Sequence, residues 1–347
     1  MNIMAASTAA SAATLKLDYM SPQQIASQSP AWWQGVLGVV GFERLPAIGE
    51  VRVPIAACMT PSLGANGLCE VWRVAGVRVH LSSGETLQSR VRYRYCDDLL
   101  FGSVMVGEQD DADEARALLQ ATDSAYREIF DVLNRTGHRH LIRIWNYLPE
   151  INRETGGDER YRHFNSARQL AFRNSGRATT GAVPAASALG SPAGSPISIH
   201  FLAARIPPQM IENPRQTSAY HYPPKFGRHS PIFSRACVWG EPGCAKLFIS
   251  GTASIVGHDT IHVGDVAAQT RETMVNIGAL LDEANRVVGS GSYSAARLNL
   301  KVYVRRPPDL PAIKAALSRC LSPATQVLYL QADVCREDLL VEIEAVG

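Results

Sequence analysis

The chain has 347 residues, 46% of them hydrophobic and 19% charged, and 34 Lys and Arg nearly balance 32 Asp and Glu for a net charge of +2. That balance makes no electrostatic case for nucleic acid or an anionic membrane, no apolar run approaches the roughly 18 residues of a membrane span, and the length favours two domains. Seven cysteines, at 58, 69, 96, 237, 244, 320 and 335, are odd in number and form no C-x-x-C pair, which argues against a disulfide framework or a zinc site and for a reducing, cytoplasmic compartment.

Residues 1 to 14 are rich in Ala and Ser and lack the basic flank and apolar core of a signal peptide, so residues 1–40 read as a disordered tail and an N-terminal extension. A strand-like Leu100-Phe101-Gly102-Ser103 comes next. It leads to a helix whose apolar positions, among them Leu118, Tyr126, Ile129 and Leu133, recur at 3.6 spacing up to Gly137. A strand over 141–147 and a helix over 160–172 follow. The Gly, Ser, Ala and Pro content of 176–196 predicts a flexible insertion, and Ile197 to Ala204 predicts a further strand.

The same order then recurs. Leu247-Phe248-Ile249-Ser250 parallels Leu100 to Ser103, and a helix through Val266, Thr270, Ile277, Leu280 and Ala284 parallels the first helix at an offset that agrees within one residue. Strand 298–304 matches 141–147, helix 311–321 matches 160–172, and strand 325–332 is matched to 197–204. This order predicts an α+β protein of two copies of one module, 41–225 and 226–347, with mixed sheets packed against helices. Two unrelated α+β runs are the alternative.

Three places carry chemistry. The last seven residues alternate apolar and acidic, so a strand there points Glu342 and Glu344 to one face. Carboxylates on a rigid strand are candidate proton donors, and a half-solvated edge strand whose charges discourage pairing is the plainer alternative. The join from Asn213 to Arg235 interleaves Arg215, Arg228 and Arg235 with Tyr220, Tyr222 and Phe226 among prolines. Guanidinium forks and phenols on a stiff loop suit a small carboxylated molecule; an ordinary linker would read similarly. Trp145 to Asn152, with Arg160 to Arg168, forms another polar and aromatic cluster, in which Trp145 could equally be core. His258 and His262 stand four apart but without the Glu of an H-E-x-x-H motif, Gly289-Ser290-Gly291 has no Gly-Lys-Ser/Thr after it, and Gly251-Thr252-Ala253-Ser254 lacks the glycine-flanked serine of a nucleophile elbow.

Residues 232–347 resemble the RidA (YjgF) family through Leu247 to Gly251, Gly264-Asp265-Val266, Lys301 to Val304, Pro323-Ala324-Thr325 and the Cys335 to Glu342 ending, with Thr325 standing where that family has a substrate-clamping arginine. From residue 40 onward the chain resembles the chorismatases, through the Trp-Asn-Tyr-x-Pro-x-Ile-Asn segment at 145–152, the join at 213–235, and Ser250-Gly251-Thr252-Ala253. The likeness is to the type that forms both 3-hydroxybenzoate and 4-hydroxybenzoate and supplies pigment and ubiquinone precursors. It implies two fused RidA-like modules that cleave chorismate and release pyruvate. It also implies Glu342 as the proton donor, Cys335 in the site, and Gly251 at a position that separates product types. With the cluster and the join, Tyr147, Arg168, Arg215, Tyr220 and Arg228 are the expected substrate-binding residues. The substrate's two carboxylates call for cationic anchors, and its enol ether for an acid that keeps its proton near neutral pH. No metal or redox cofactor is called for. A monomer or a homo-oligomer, trimer included, fits the resemblance. An enamine/imine deaminase and a non-catalytic small-acid-binding regulator are the alternatives.

Overall fold

The computed structural model describes residues 14–43, 53–64, 67–75, 82–85, 91–109, 113–289 and 291–347. The first 13 residues, expected as a tail, and Ser290 lie outside them. An N-terminal sheet is built from β1 (Thr14–Met20), β2 (Val36–Phe42), β3 (Ile55–Cys58) and β4 (Cys69–Ala75), in the order β1-β4-β2-β3, with short helices α1 (Pro22–Ala26) and α2 (Pro30–Trp33) between its first two strands. The expected cut at 40/41 falls inside β2.

The first module comprises β5 (Ser82–Glu85), β6 (Arg92–Tyr95), β7 (Leu99–Val106), α3 (Glu114–Thr136), β8 (His140–Pro149), the small hairpin β9 (Glu154–Thr155) and β10 (Asp158–Glu159), α4 (Arg160–Asn174), β11 (Ala185–Ser191) and β12 (Ile197–Ala204). The second comprises β13 (Gln209–Ile211), β14 (Ala236–Trp239), β15 (Lys246–Thr252), the hairpin β16 (Ile255–Val256) and β17 (Asp259–Thr260), α5 (Val266–Val288), β18 (Asn299–Val304), α6 (Leu310–Leu317), β19 (Val327–Gln331) and β20 (Val341–Val346). Its sheet begins at Gln209, before the expected boundary at 225/226.

The six-stranded sheets run β11-β8-β12-β7-β6-β5 and β13-β14-β15-β20-β18-β19. Read from opposite ends they are the same sheet: two outer strands pair in parallel, β8 with β11 and β18 with β19, and an antiparallel strand, β12 or β20, sits between them and the strand that precedes the long helix. The duplication is real, but one match was misplaced. The partner of 197–204 is β20, and the partner of β19 is β11, inside the segment expected to be flexible. Within that segment Ala185–Ser191 is a buried strand, whose small side chains let module two press on it: a Cβ on Gly190 would lie 2.6 Å from the Asp333 Cβ and 2.8 Å from Ile151 Cγ2.

The long helices form where expected. Asp113 and Asp265 accept backbone N–H groups of the first turns of α3 and α5, and Gly137 and Gly289 close them at φ +77° and +68°. Each helix packs on one face of its sheet. The other faces meet the N-terminal sheet in a shared core, to which the three sheets contribute Trp72, Trp145 and Phe248; Trp72 lies 5.6 Å from the Trp145 ring and 6.2 Å from Phe248. Among the described residues no helix is long and apolar enough to cross a membrane.

Candidate active site

A cavity of about 750 Å³ opens where α4 and β11 of module one meet β15, β20 and the 333–339 loop of module two, a size that suits a small organic molecule. Its floor is β20. That strand lies between β15 and β18, not at an edge, and both its carboxyls are buried, so the edge-strand reading fails.

Glu342 lines the cavity with 3% of its surface exposed. Burial and the neighbouring Glu344 charge raise its carboxyl to about 8, against the pull of Arg143, Arg305 and Arg235, so it holds its proton at neutral pH. Gly251 is what admits it. A Cβ there would stand 1.9 Å from Glu342 Oε1 and 3.0 Å from Ser187 Oγ, so a side chain at this position would force the Glu342 carboxyl to move.

Glu344, two residues on and on the same face, has the opposite character. It accepts from Arg143 Nη2, Trp145 Nε1 and Lys301 Nζ at 2.7 Å each and from Ser187 Oγ at 2.6 Å. Burial alone would raise its proton affinity, but Lys301 and Arg143 hold it below the ordinary carboxylate range. Trp145 is therefore more than core packing.

Cys335 also lines the cavity. Burial and Glu342 push its thiol up to about 12, which leaves it a neutral, space-filling group and no nucleophile at neutral pH. Its loop is held by Arg305, whose guanidinium donates to the carbonyls of Leu339, Val334 and Arg336 at 2.7 to 2.9 Å and to Asn152 and Asp333 at 3.0 and 2.8 Å.

Arg168 projects from α4, its Nη1 donating to the Ile232 carbonyl and its guanidinium 5.1 Å from the centroid of Phe172, while Nε and Nη2 are buried without a partner. Arg235 donates from Nη2 to the Thr217 carbonyl and the Tyr222 hydroxyl at 2.7 Å, leaving Nε unmatched. Arg336 lies 4.1 Å from the Phe226 ring centroid, donates from Nη1 to His258 and Thr260, and leaves Nη2 unmatched. Buried guanidinium nitrogens without acceptors are costly unless an anion completes them.

Of the expected site residues, Glu342, Cys335, Gly251 and Arg168 meet in this cavity. Tyr147 does not line it; its hydroxyl faces that of Tyr303 at 2.8 Å in the shared core. Arg215 is tied to Glu272 at 2.6 Å and to Asn276, away from the cavity. Tyr220 packs against the module-one core and Arg228 is exposed, and neither lines the cavity. Thr325 lies in the turn before β19 and plays no part there. Asn146, Ser187, Tyr222, Arg235 and Arg336 also line the cavity; of these, the sequence places Tyr222 and Arg235 in the join and Asn146 in the 145–152 cluster without marking them as substrate-binding, and does not single out Ser187 or Arg336. Arg235 carried a usable signal: it stands immediately before the apolar run Ala236 to Trp239, so a strand fixes its backbone, whereas Arg215 and Arg228 lie in mid-loop.

Residues 70–203 match the family described as Chorismatase FkbO/Hyg5-like, N-terminal. The chain is 39% identical over 236 residues to a 3-hydroxybenzoate synthase of Streptomyces hygroscopicus, covering 65% of this chain and 69% of that protein. It is 36% identical over 296 residues to a chorismatase of the same organism, covering 84% and 82%. A chorismatase crystal structure superposes with a TM-score of 0.83 at 31% identity, over 97% of this chain and 99% of the other.

Proposed function

The chain belongs to the chorismatase family and is a chorismate-cleaving enzyme, and we propose that Glu342 is its proton donor and that 3-hydroxybenzoate, 4-hydroxybenzoate and pyruvate are its products. The observation that carries this reading is a carboxyl that keeps its proton at neutral pH inside a cavity lined by three guanidinium groups that each keep at least one buried nitrogen without an acceptor. Chorismate has the complementary features: two carboxylates and an enol ether whose methylene accepts a proton.

Transfer of the Glu342 proton to that methylene leaves an oxocarbenium carbon and the Glu342 carboxylate, and the bound anions favour the protonated acid beforehand. Arg168, Arg235 and Arg336 supply the anchors for the carboxylates. The ether bond to the ring then breaks and pyruvate leaves: loss of the proton on the hydroxyl-bearing carbon gives 4-hydroxybenzoate, whereas displacement of pyruvate by that neighbouring hydroxyl forms an epoxide whose reopening at its original carbon leaves the oxygen at position 3, as in 3-hydroxybenzoate. Both hydroxybenzoates plus pyruvate have the summed formula of chorismate, so this route consumes no water, and loss of a ring proton returns the acid to Glu342. Attack of water on the activated carbon would instead give a dihydroxy diene. Cys335, neutral and beside Glu342, is placed to deny that water room.

The test is incubation of the purified protein with chorismate and chromatography of the products. Pyruvate with both hydroxybenzoates is expected. Dihydroxy diene as the sole partner of pyruvate would overturn the product assignment.

A further inference from the structure

The carboxylate beside the acid is the convergence point of all three sheets. Arg143 and Trp145 of β8 and Ser187 of β11 reach Glu344 from module one, Lys301 reaches it from β18, and Lys301 is in turn 2.8 Å from Glu70 of β4 in the N-terminal sheet. The charges alternate along this chain, Glu70, Lys301, Glu344, Arg143, and all four residues are 5% exposed or less. Glu344 itself does not line the cavity. With four donors around its two oxygens it has no free position for a substrate proton, and protonating it would strand Arg143 and Lys301 as buried unpaired cations. Ser187 ties it to the cavity wall, because the same hydroxyl accepts from the Gly251 N–H at 3.0 Å, beside the acid.

We propose that Glu344 is a positioning residue that never reacts: fixed as a carboxylate by Arg143, Lys301, Ser187 and Trp145, it acts on Glu342 through its charge and keeps the acid loaded with its proton. The N-terminal sheet, through Glu70 and Lys301, is then part of the catalytic apparatus. The inference rests on Glu342 as the acid. The other charged or titratable groups facing Glu342 are Arg143, Arg235, Arg305, Cys335 and Tyr161. Those facing Glu344 are Lys301, Arg143, Glu70, Tyr19, Tyr147 and Tyr303. Near neutral pH the tyrosines and Cys335 are uncharged, because burial raises each of them, so Glu344 is the negative charge closest in sequence to the acid and on the same strand face.

The decisive measurement is the pH profile of turnover in Glu344→Gln and Glu344→Asp. Losing the charge lowers the proton affinity of Glu342, so in the Gln variant the high-pH limb should move down by on the order of one pH unit with turnover better retained at pH 6 than at pH 8. The Asp variant, which keeps the charge, should hold the limb near its wild-type position even if its rate falls. An equal loss at every pH in both variants overturns the proposal. Should the Gln variant not fold, carboxyl ¹³C shifts of the wild-type enzyme decide: Glu344 in its carboxylate form from pH 6 to 9 is expected, and a protonated Glu344 at pH 7 overturns it. Wild-type turnover in Glu342→Gln would instead overturn the assignment of the acid.

Discussion

The two modules place equivalent strands in equivalent settings and make different things of them. On β12, Ser198 is paired with Tyr147 and His200 with Trp145; on β20, Glu342 is paired with Tyr303 and Glu344 with Lys301. Matching the two tyrosines makes Ser198 the counterpart of Glu342 and His200 that of Glu344. In module one this face is covered by β3: Ser198 donates to the Ala57 carbonyl at 2.8 Å, Cys58 Sγ is 3.9 Å from His200 Nδ1, and His200 stacks on Trp145 at 4.6 Å. Burial drives His200 far below its ordinary range, so it is a neutral core residue. In module two the same face meets β8 and β11, which bring Arg143 and Ser187 to Glu344 and leave a cavity over Glu342. A strand position lines a cavity or joins a core according to what packs over it.

Several experiments would break or sharpen that contrast. The largest effect belongs to the acid. Glu342→Gln keeps shape and burial but removes the proton, and turnover should fall by about 10² to 10⁴ with circular dichroism unchanged. The variant also tests the raised carboxyl. A neutral Glu342 contributes fully to stability below pH 4.5, where a carboxyl of the unfolded chain is protonated too, and loses that contribution as pH rises through about 8. Thermal stability of the wild type should therefore decline relative to the variant across that window, and parallel curves would show that the carboxyl is not raised.

Ser198→Glu puts a carboxyl at the corresponding place in module one, where Ser198 donates to the Ala57 carbonyl and, among the described residues, no cation is hydrogen-bonded to it. Unfolding in urea should show a loss of about 3 kcal/mol or more, the cost of an uncompensated buried charge. Unchanged stability would mean that the two faces are not as different as their coverings suggest.

Smaller effects separate anchors from bystanders. Arg168→Gln or Arg235→Gln should weaken binding of an unreactive dicarboxylate analogue by about 1.5 to 3 kcal/mol, read by calorimetry, whereas Arg215→Ala and Arg228→Ala should leave it within error. The reverse pattern would move the substrate out of the cavity. The smallest change expected is in partitioning. Cys335→Ala should keep pyruvate release but shift the product ratio toward the dihydroxy diene, because the space vacated beside a dianion can hold a water. An identical ratio by chromatography would remove Cys335 from the reacting carbons. Gly251→Ala is a different case: its methyl strikes Glu342 Oε1, so it should lower the rate itself.

Much of this was legible from residue order. Periodicity located both long helices, alternation located β20 and its two acids, and the resemblance put Glu342, Cys335 and Gly251 where the cavity has them. The segment 176–196 was misread because Ala, Ser and Gly are ambiguous: the same small residues that loosen a linker also permit close packing between sheets. Without β11, the strand 197–204 had no correct partner and was matched to 325–332. The join supplies Tyr222, Phe226 and Arg235 to the cavity wall, but residue type alone does not tell its arginines apart: Arg215 is spent on Glu272 while Arg235 lines the cavity.

What the sequence determined by itself is local: which stretches are helix or strand, that one module occurs twice, and which face of β20 carries carboxyls, since these follow from side-chain period and near-neighbour sterics. Only the tertiary structure decided that Glu342 keeps its proton and Glu344 does not. The two carboxyls stand in the same strand pattern two residues apart, and their difference comes from Arg143, Ser187 and Lys301, which lie 43 to 201 positions away from Glu344. The field at a buried group is set by burial and by the charges that folding brings near it.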